Sequence, residues 1–140
     1  MQTFLPYADF EVTASVLDRQ RLGKQRVETL QIMSALVKNT GWVHHPATNM
    51  WRGYEGALLL YQAAICNEWV VARGYSDTCL LKTEELYWTV NDKFNPEMPW
   101  WLGDIDIHIS HQSNLVRKNF DYYSRAFPNV PDDLPYVWPV

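Results

Sequence analysis

The sequence has few cysteines and no long apolar run. Its two cysteines are Cys66 and Cys79, and Cys66 falls within an apolar helical pattern, so a disulfide framework is not expected. The first residues show no signal-peptide pattern, and no apolar stretch is long enough to cross a bilayer. These absences argue against a disulfide-rich secreted domain and against a membrane protein. We expect a soluble cytoplasmic protein with no membrane contact.

The sequence also has no excess of basic over acidic residues. The chain carries 12 Lys and Arg residues against 16 Asp and Glu residues, which gives a net charge of -4. Non-specific coating of nucleic acid depends on a broad basic surface that releases counterions, so this balance argues against that class of protein. It still allows a local basic cleft on an acidic body.

Strand patterns and internal repeats are absent too, whereas apolar residues recur at helical spacing. A chain of 140 residues that is 47% hydrophobic can form one domain with its own core. We predict an all-α fold, a compact single-domain helical bundle over residues 1–140, with an N-terminal arm and an ordered proline-rich C-terminal tail. The main predicted helices run from Phe10 to Leu17, from Gly23 to between Asn39 and Gly41, from Gly53 to Ala72, from Cys79 to Val90, and from Asp104 to Lys118. Val71 is expected on a face of the mostly buried third helix, and Asp104 is expected as the N-cap or a first-turn acid of the last helix.

Basic residues concentrate in the stretch from Leu17 to Glu28. Its basic residues are Arg19, Arg21, Lys24 and Arg26, and two glutamines, Gln20 and Gln25, lie among them. The predicted buried stripe of the helix that begins at Gly23 is Val27, Leu30, Met33 and Val37. Cations in a first helical turn oppose the helix dipole, so an outside anion such as phosphate would stabilise them. The stretch is therefore either a phosphate-binding site or a solvated charged face.

The histidines form two pairs. His44 and His45 precede Pro46, whereas His108 and His111 share one face of a predicted helix. The pairs could meet at a metal, but a zinc site of this kind usually adds a carboxylate or thiolate, and neither cysteine is near a histidine in sequence. We expect no metal and no cofactor, and we predict polar cleft histidines that contact phosphate or a base.

Trp51 and Arg52 lie together before a long apolar helix. An arginine beside an aromatic ring suits base stacking and phosphate binding, but a packed helix would also bury Trp51, and both interpretations stay open. A short turn leaves consecutive helices antiparallel, with their ends close together. The residues expected to border one cleft are therefore Arg21, His44, His45, Trp51 and Arg52, with His108 or His111 opposite.

Several segments taken together resemble a known family. They are RLGKQRVE, HPATNMWRG, WLGD, SHQSNLVRK and DDLPYVWP, and with the N-terminal arm they cover almost the whole chain. In this order they resemble the pyrimidine-dimer DNA glycosylase family of the phage endonuclease V type, in particular its bacterial and actinophage branch. The resemblance implies a compact all-α fold with the arm threaded between helices. It also implies a basic concave face that binds damaged duplex DNA and extrudes a base.

The family's chemistry, as the resemblance implies it, begins at the first residue. The α-amino group attacks the sugar C1′ to give a Schiff base, β-elimination follows, and a carboxylate near the start of the basic helix assists. Met1 is expected to be retained before the bulky Gln2, so the amine belongs to Met1. Gln25 falls where the resemblance expects the carboxylate, and Glu28, one turn along the same face, is the candidate substitute. The cations to which the resemblance assigns DNA binding are Arg21, Arg26, Arg117 and Lys118.

Three functions stay open. The first is a DNA glycosylase with abasic-site lyase activity that acts, as a monomer, on a damaged or modified pyrimidine. The second is a catalytically altered relative that binds DNA without Schiff-base chemistry. The third is an enzyme that acts on a modified nucleotide or nucleobase whose polar edges contact Gln20, Gln25 and the histidines. We expect Gln25 to lie near Met1 in the cleft, and Gln25→Glu to raise glycosylase or lyase activity.

Overall fold

The computed structural model describes all residues 1–140, and it contains helices but no strands. The predicted all-α class is confirmed. The helices are α1 (Phe10–Val16), α2 (Arg19–Lys38), α3 (Pro46–Asn49), α4 (Glu55–Asn67), α5 (Cys79–Val90), α6 (Ile105–Lys118) and α7 (Phe120–Ala126). None of them is both long and apolar enough to span a membrane.

The core forms where α2, α4 and α5 pack against one another, while α6 packs against α7. The N-terminal arm, residues 1–7, contributes Phe4 and Leu5 to the same apolar cluster. The tail follows α7 and lies on α6, where the Leu134 N–H donates to Ser113 Oγ at 3.0 Å and the Val137 N–H donates to Ser110 Oγ at 3.1 Å. The predicted ordered tail is therefore present.

Helix α2 begins four residues before its predicted start at Gly23. Asp18 is its N-cap, and the Asp18 carboxylate pairs with Arg21 at 3.2 Å, so an internal acid compensates the cationic first turn. Gly23 is inside the helix because the Trp69 ring packs on it, and an added Cβ would lie 2.9 Å from that ring.

The predicted buried stripe of α2 is wrong at Val27, which is 43% exposed. The buried residues of this helix are Leu22, Gln25, Thr29, Ile32, Met33 and Ala35. Two of them are polar, so a search for apolar spacing finds a face that is rotated from the real one.

The helix predicted from Gly53 to Ala72 starts at Glu55 and continues after Asn67 as a π-helical turn, Glu68–Ala72. This wider turn shifts the side-chain register, and Val71, predicted to be buried, is 73% exposed. Helix α5 has the predicted bounds. Helix α6 has the predicted N-cap, Asp104, whose side chain accepts a hydrogen bond from the Asp106 N–H at 3.0 Å.

Candidate active site at the chain start

Side chains from α2 and α4 bind the N-terminal arm through its backbone. Gln25, which is 1% exposed, accepts a hydrogen bond from the Phe4 N–H at 3.0 Å, and its amide donates to the Gln2 carbonyl at 2.8 Å. The Tyr61 hydroxyl lies 2.7 Å from both the Phe4 carbonyl oxygen and Gln25 Oε1. Gln25 therefore fixes the position of the arm backbone at Gln2 and Phe4.

Helix α6 holds the arm from the other side through its two histidines. His111 Nδ1 accepts from the Leu5 N–H at 2.8 Å, and His108 Nδ1 lies 2.8 Å from the Leu5 carbonyl. His108 Nε2 accepts from the Gly103 N–H, so its proton sits on Nδ1 and donates to Leu5. Burial, and then the charge of His108, lower the pKa of His111 to about 3, so the His111 ring is neutral near pH 7.

These contacts correct the prediction that the α6 histidines face a substrate cleft. His108 and His111 are buried against the arm, and they are not free to contact phosphate or a base. Trp51 is also fully buried, and its indole N–H donates to Thr3 Oγ1 at 3.0 Å. Of the two interpretations left open for Trp51, the packed core residue is therefore the correct one.

Glu28 is the carboxylate nearest the start of the chain. Its Oε2 accepts from the Gln2 N–H at 3.3 Å and from the Gln25 amide at 3.2 Å. Its Oε1 lies 4.0 Å from the Lys24 ammonium, and its side chain is 14% exposed. Burial, and after it the negative charge of Glu28, raise the pKa of Tyr61. Glu28 is thus partly open to solvent and hydrogen bonded to the peptide group that follows Met1.

His45 lies beside the same group of charges. It caps α3, with Nδ1 accepting from the Ala47 N–H at 3.0 Å. Burial, and then the positive charge of the chain's α-amino group, lower the pKa of His45, whereas Glu28 opposes this change. The site therefore contains the α-amino group, Glu28 and a neutral imidazole at neutral pH.

Two further predicted residues surround His45 without entering this network. His44 is exposed, and its carbonyl accepts from the Asn49 amide at 3.2 Å. The Arg52 guanidinium donates to the Val43 carbonyl at 2.8 Å and to Asn49 Oδ1 at 3.1 Å. Arg52 therefore supports the loop that carries His45.

Arg26 is bound within the protein. Its guanidinium lies 2.5 Å from Asp77 and 4.5 Å from the centre of the Trp69 ring. Burial alone would raise the pKa of Asp77, but hydrogen bonds from the Leu80 N–H and from Arg26 hold it below its usual value. These contacts leave Arg26 little capacity for a DNA phosphate, contrary to its predicted role.

Other predicted cations gather where the start of α2 meets the end of α6. The Arg21 guanidinium lies 3.5 Å from the Lys118 carbonyl, and the Lys118 side chain is exposed. Lys24 is 72% exposed, and Gln20 is exposed in the first turn. Arg117 is exposed but donates to Asn114 Oδ1 and to the Asp132 carbonyl.

Tyr61, Tyr136 and Trp138 were not predicted as site residues. Burial raises the pKa of Tyr136 to about 12, with Arg117 opposing this shift and Glu28 adding to it, so Tyr136 lies near both charges. The Trp138 ring centre lies 6.0 Å from that of His45. For Tyr136 and Trp138 the only sequence signal was the cost of leaving an aromatic tail in water. A separate apolar groove of about 970 Å³, formed mainly by α1, α4 and α5, contains none of the predicted site residues.

A family model described as pyrimidine dimer DNA glycosylase matches residues 1–83. The matched part includes the arm, α2, the His45 loop and α4, whereas α6 and the tail lie outside it. The chain has no significant match among curated proteins or among solved structures.

Proposed function

The chain belongs to the pyrimidine dimer DNA glycosylase family, and we propose that it excises a damaged or modified pyrimidine from duplex DNA and then cleaves the strand at the abasic site. The family match supports DNA repair and DNA as substrate. We propose that it acts as a monomer.

The proposed nucleophile is the α-amino group of Met1, assisted by the carboxylate of Glu28. Support comes from the 3.3 Å hydrogen bond between Glu28 and the Gln2 N–H, the peptide group that follows Met1. The arm is held by Gln25, Tyr61 and the α6 histidines, so the amine is pre-positioned before substrate binds. The hydrogen bond from the Gln2 N–H to Glu28, on an arm that other side chains hold in place, is the observation that carries the proposal.

In the first step the uncharged amine forms a bond to the sugar C1′. The bond between C1′ and the base breaks, and the base leaves with that electron pair and takes up a proton. The nitrogen loses a proton, and its lone pair then forms the double bond to C1′ while the bond from C1′ to the ring oxygen breaks. The ring oxygen takes up a proton, so the opened sugar is joined to Met1 as an iminium ion. Glu28, as carboxylate, stabilises the positive charge that develops on the sugar and the imine.

In the second step a proton leaves C2′. The electron pair of that C–H bond forms a double bond between C2′ and C3′, and the bond from C3′ to the phosphate oxygen breaks. Glu28 is the candidate base for this proton, because its side chain is partly exposed. Water then releases the sugar from Met1.

A damaged base pair must open before the amine can reach C1′, so base extrusion is part of this proposal. The candidate phosphate contacts are the exposed cations Lys24 and Lys118, together with the less exposed Arg21. Arg117 extends this basic edge toward Tyr136.

Borohydride trapping on abasic duplex DNA tests the proposal, because reduction converts the imine into a permanent covalent adduct. We expect the native protein to form the adduct, and Glu28→Gln to reduce its rate by roughly 100-fold, the usual scale of one acid–base group. Glu85→Gln, on the exposed surface of α5, is the matched control and should not change the rate. Tight binding of abasic DNA without any adduct would contradict the proposal and would favour the relative that binds DNA without Schiff-base chemistry.

A further inference from the structure

The apolar groove between α1, α4 and α5 has exposed walls. Its volume is about 970 Å³, and 12 of its 17 lining residues are hydrophobic. Four of these twelve are between 41% and 73% exposed: Val70, Val71, Leu81 and Met98. None of the four belongs to the core cluster or packs against it, so the fold does not account for them. A soluble protein rarely exposes a patch of large apolar side chains unless that surface binds something.

One wall of the apolar groove is an irregular helical segment. The π-helical turn Glu68–Ala72 supplies Val70 and Val71, two consecutive residues that both line the groove. The turn is anchored beside them, because the Trp69 indole N–H donates to the Ser76 carbonyl at 2.9 Å. π-Helical turns are rare and occur frequently at functional sites. This turn therefore provides a second, independent indication that the groove binds a partner.

The charged residues that line the apolar groove are all acidic. They are Asp9, Glu11, Asp77 and Glu84, and no Lys, Arg or His residue lines the groove. Asp77 is paired with Arg26, whereas Asp9, Glu11 and Glu84 form no salt bridge. An apolar surface with uncompensated acids is complementary to a segment that carries both apolar and basic side chains. The same acids repel the phosphates of DNA, so the groove is not a second DNA-binding surface.

The shape of the apolar groove favours a helix over a small molecule. Five segments of the chain line it: residues 8–11, α4, the π-helical turn, α5 and the connection that leads to α6. A small-molecule site usually encloses most of its ligand in a concave pocket, but the exposed walls of this groove would leave a small ligand largely in water. A helix can lie along such a groove and insert the side chains of one face into it.

We propose that the apolar groove binds an amphipathic basic helix of a partner protein. The apolar side chains of that helix pack on Val70, Val71 and Leu81, and its Lys or Arg side chains pair with Glu11 and Glu84. The groove contains neither Met1 nor Glu28, and none of the candidate phosphate contacts lines it. A bound partner therefore leaves the candidate active site open. This inference does not depend on the proposed chemistry on DNA.

The test uses a labelled synthetic peptide of about 15 residues, long enough to form a helix on binding, with leucines along one face and lysines beside them. Fluorescence anisotropy should show micromolar binding to the native protein. Val71→Asn should weaken binding roughly tenfold, the scale of one buried apolar side chain. Glu84→Gln should weaken binding several-fold and reduce its dependence on salt, as expected for a charge at the rim of an interface.

Matched controls come from the same chain. Val90→Asn changes a valine that is 60% exposed on α5 but outside the groove, and Glu85→Gln changes the neighbour of Glu84 that does not line it. Both should bind the peptide like native protein. A second peptide, with glutamates in place of the lysines, should bind at least tenfold more weakly, because the acids of the groove repel it.

Three results would overturn the inference. They are no binding of the basic peptide, equal binding by native protein and Val71→Asn, and a native dimer that Val71→Asn dissociates, since the last would assign the groove to a second copy of the chain. Val71→Asn should melt like native protein and should trap abasic DNA at the native rate. Failure of native protein to trap abasic DNA would contradict the proposed function and leave this inference intact.

Discussion

Replacement of Gln25 by glutamate tests how the arm is held. The residue pattern alone predicts that Gln25→Glu raises activity by restoring a carboxylate, whereas the hydrogen bonds of Gln25 predict the opposite. The amide nitrogen donates to the Gln2 carbonyl at 2.8 Å and to Glu28 at 3.2 Å. A carboxylate at this buried position loses both donors and turns an oxygen toward each acceptor.

The size of the effect follows from these two contacts. Each buried acceptor that loses its donor costs roughly 1–2 kcal/mol, so we expect the free energy of unfolding to fall by about 3 kcal/mol at pH 7. At about 4 °C per kcal/mol for a domain of this size, the melting temperature should fall by about 12 °C. Repulsion between the new carboxylate and Glu28 acts in the same direction.

The pH dependence has a definite sign. The buried site next to Glu28 raises the pKa of the new carboxyl above its unfolded value of about 4.3, so its protonated form is stabilised in the folded state. The loss of stability relative to native protein should therefore grow as the pH rises from about 4 to 7. It should shrink on acidification, when the bound proton restores one hydrogen-bond donor.

Thermal unfolding across this pH range, with borohydride trapping at pH 7, measures both consequences. Trapping should slow because the arm no longer fixes the amine. Gln31→Glu, at an exposed position of α2, is the matched control and should be near neutral. A variant at position 25 that melts like native protein and traps DNA faster would refute the described role of Gln25.

Two further predictions concern charge. The pKa of buried His111 is lowered from 6.5 to about 3, so its contribution to stability is complete above pH 6.5 and is lost as the pH falls toward 3. Between pH 6.5 and 5 the free energy of unfolding should fall by about 2 kcal/mol. Urea unfolding of His111→Asn should show a correspondingly smaller fall over the same pH range. Lys24→Ala combined with Lys118→Ala should reduce the slope of log affinity against log salt concentration by about 2. Arg26→Ala should leave this slope unchanged but lower the melting temperature, because it leaves the Asp77 carboxylate without its ion-pair partner. An unchanged slope in the double variant would place the phosphate contacts elsewhere.

Elements with regular apolar spacing or clear caps could be predicted from the sequence. The bounds of α5 and the Asp104 cap of α6 are as predicted, because both depend on local signals. The sequence pattern places the start of α2 at Gly23, whereas this glycine lies inside the helix, where the absence of a side chain allows the Trp69 ring to pack closely. Local patterns carry no information on such contacts between distant segments.

The site was only partly predictable, for a related reason. Glu28 and the chain start were named from the resemblance, but polar residues that bind the arm look like surface residues in a sequence. Gln25, His108 and His111 are buried and hydrogen bonded to backbone groups of the arm, and those partners lie 21 or more positions away in the chain.

The most direct test of the central claim is to identify the atom that joins the protein to DNA after borohydride reduction. The account predicts that peptide mass mapping will find the adduct on the α-amino group of Met1, and that Lys24→Arg will not change its yield. Lys24 is the stringent competitor, since its ammonium lies 4.0 Å from Glu28. An adduct on Lys24, lost in Lys24→Arg, would contradict the assignment of the chain start as the nucleophile.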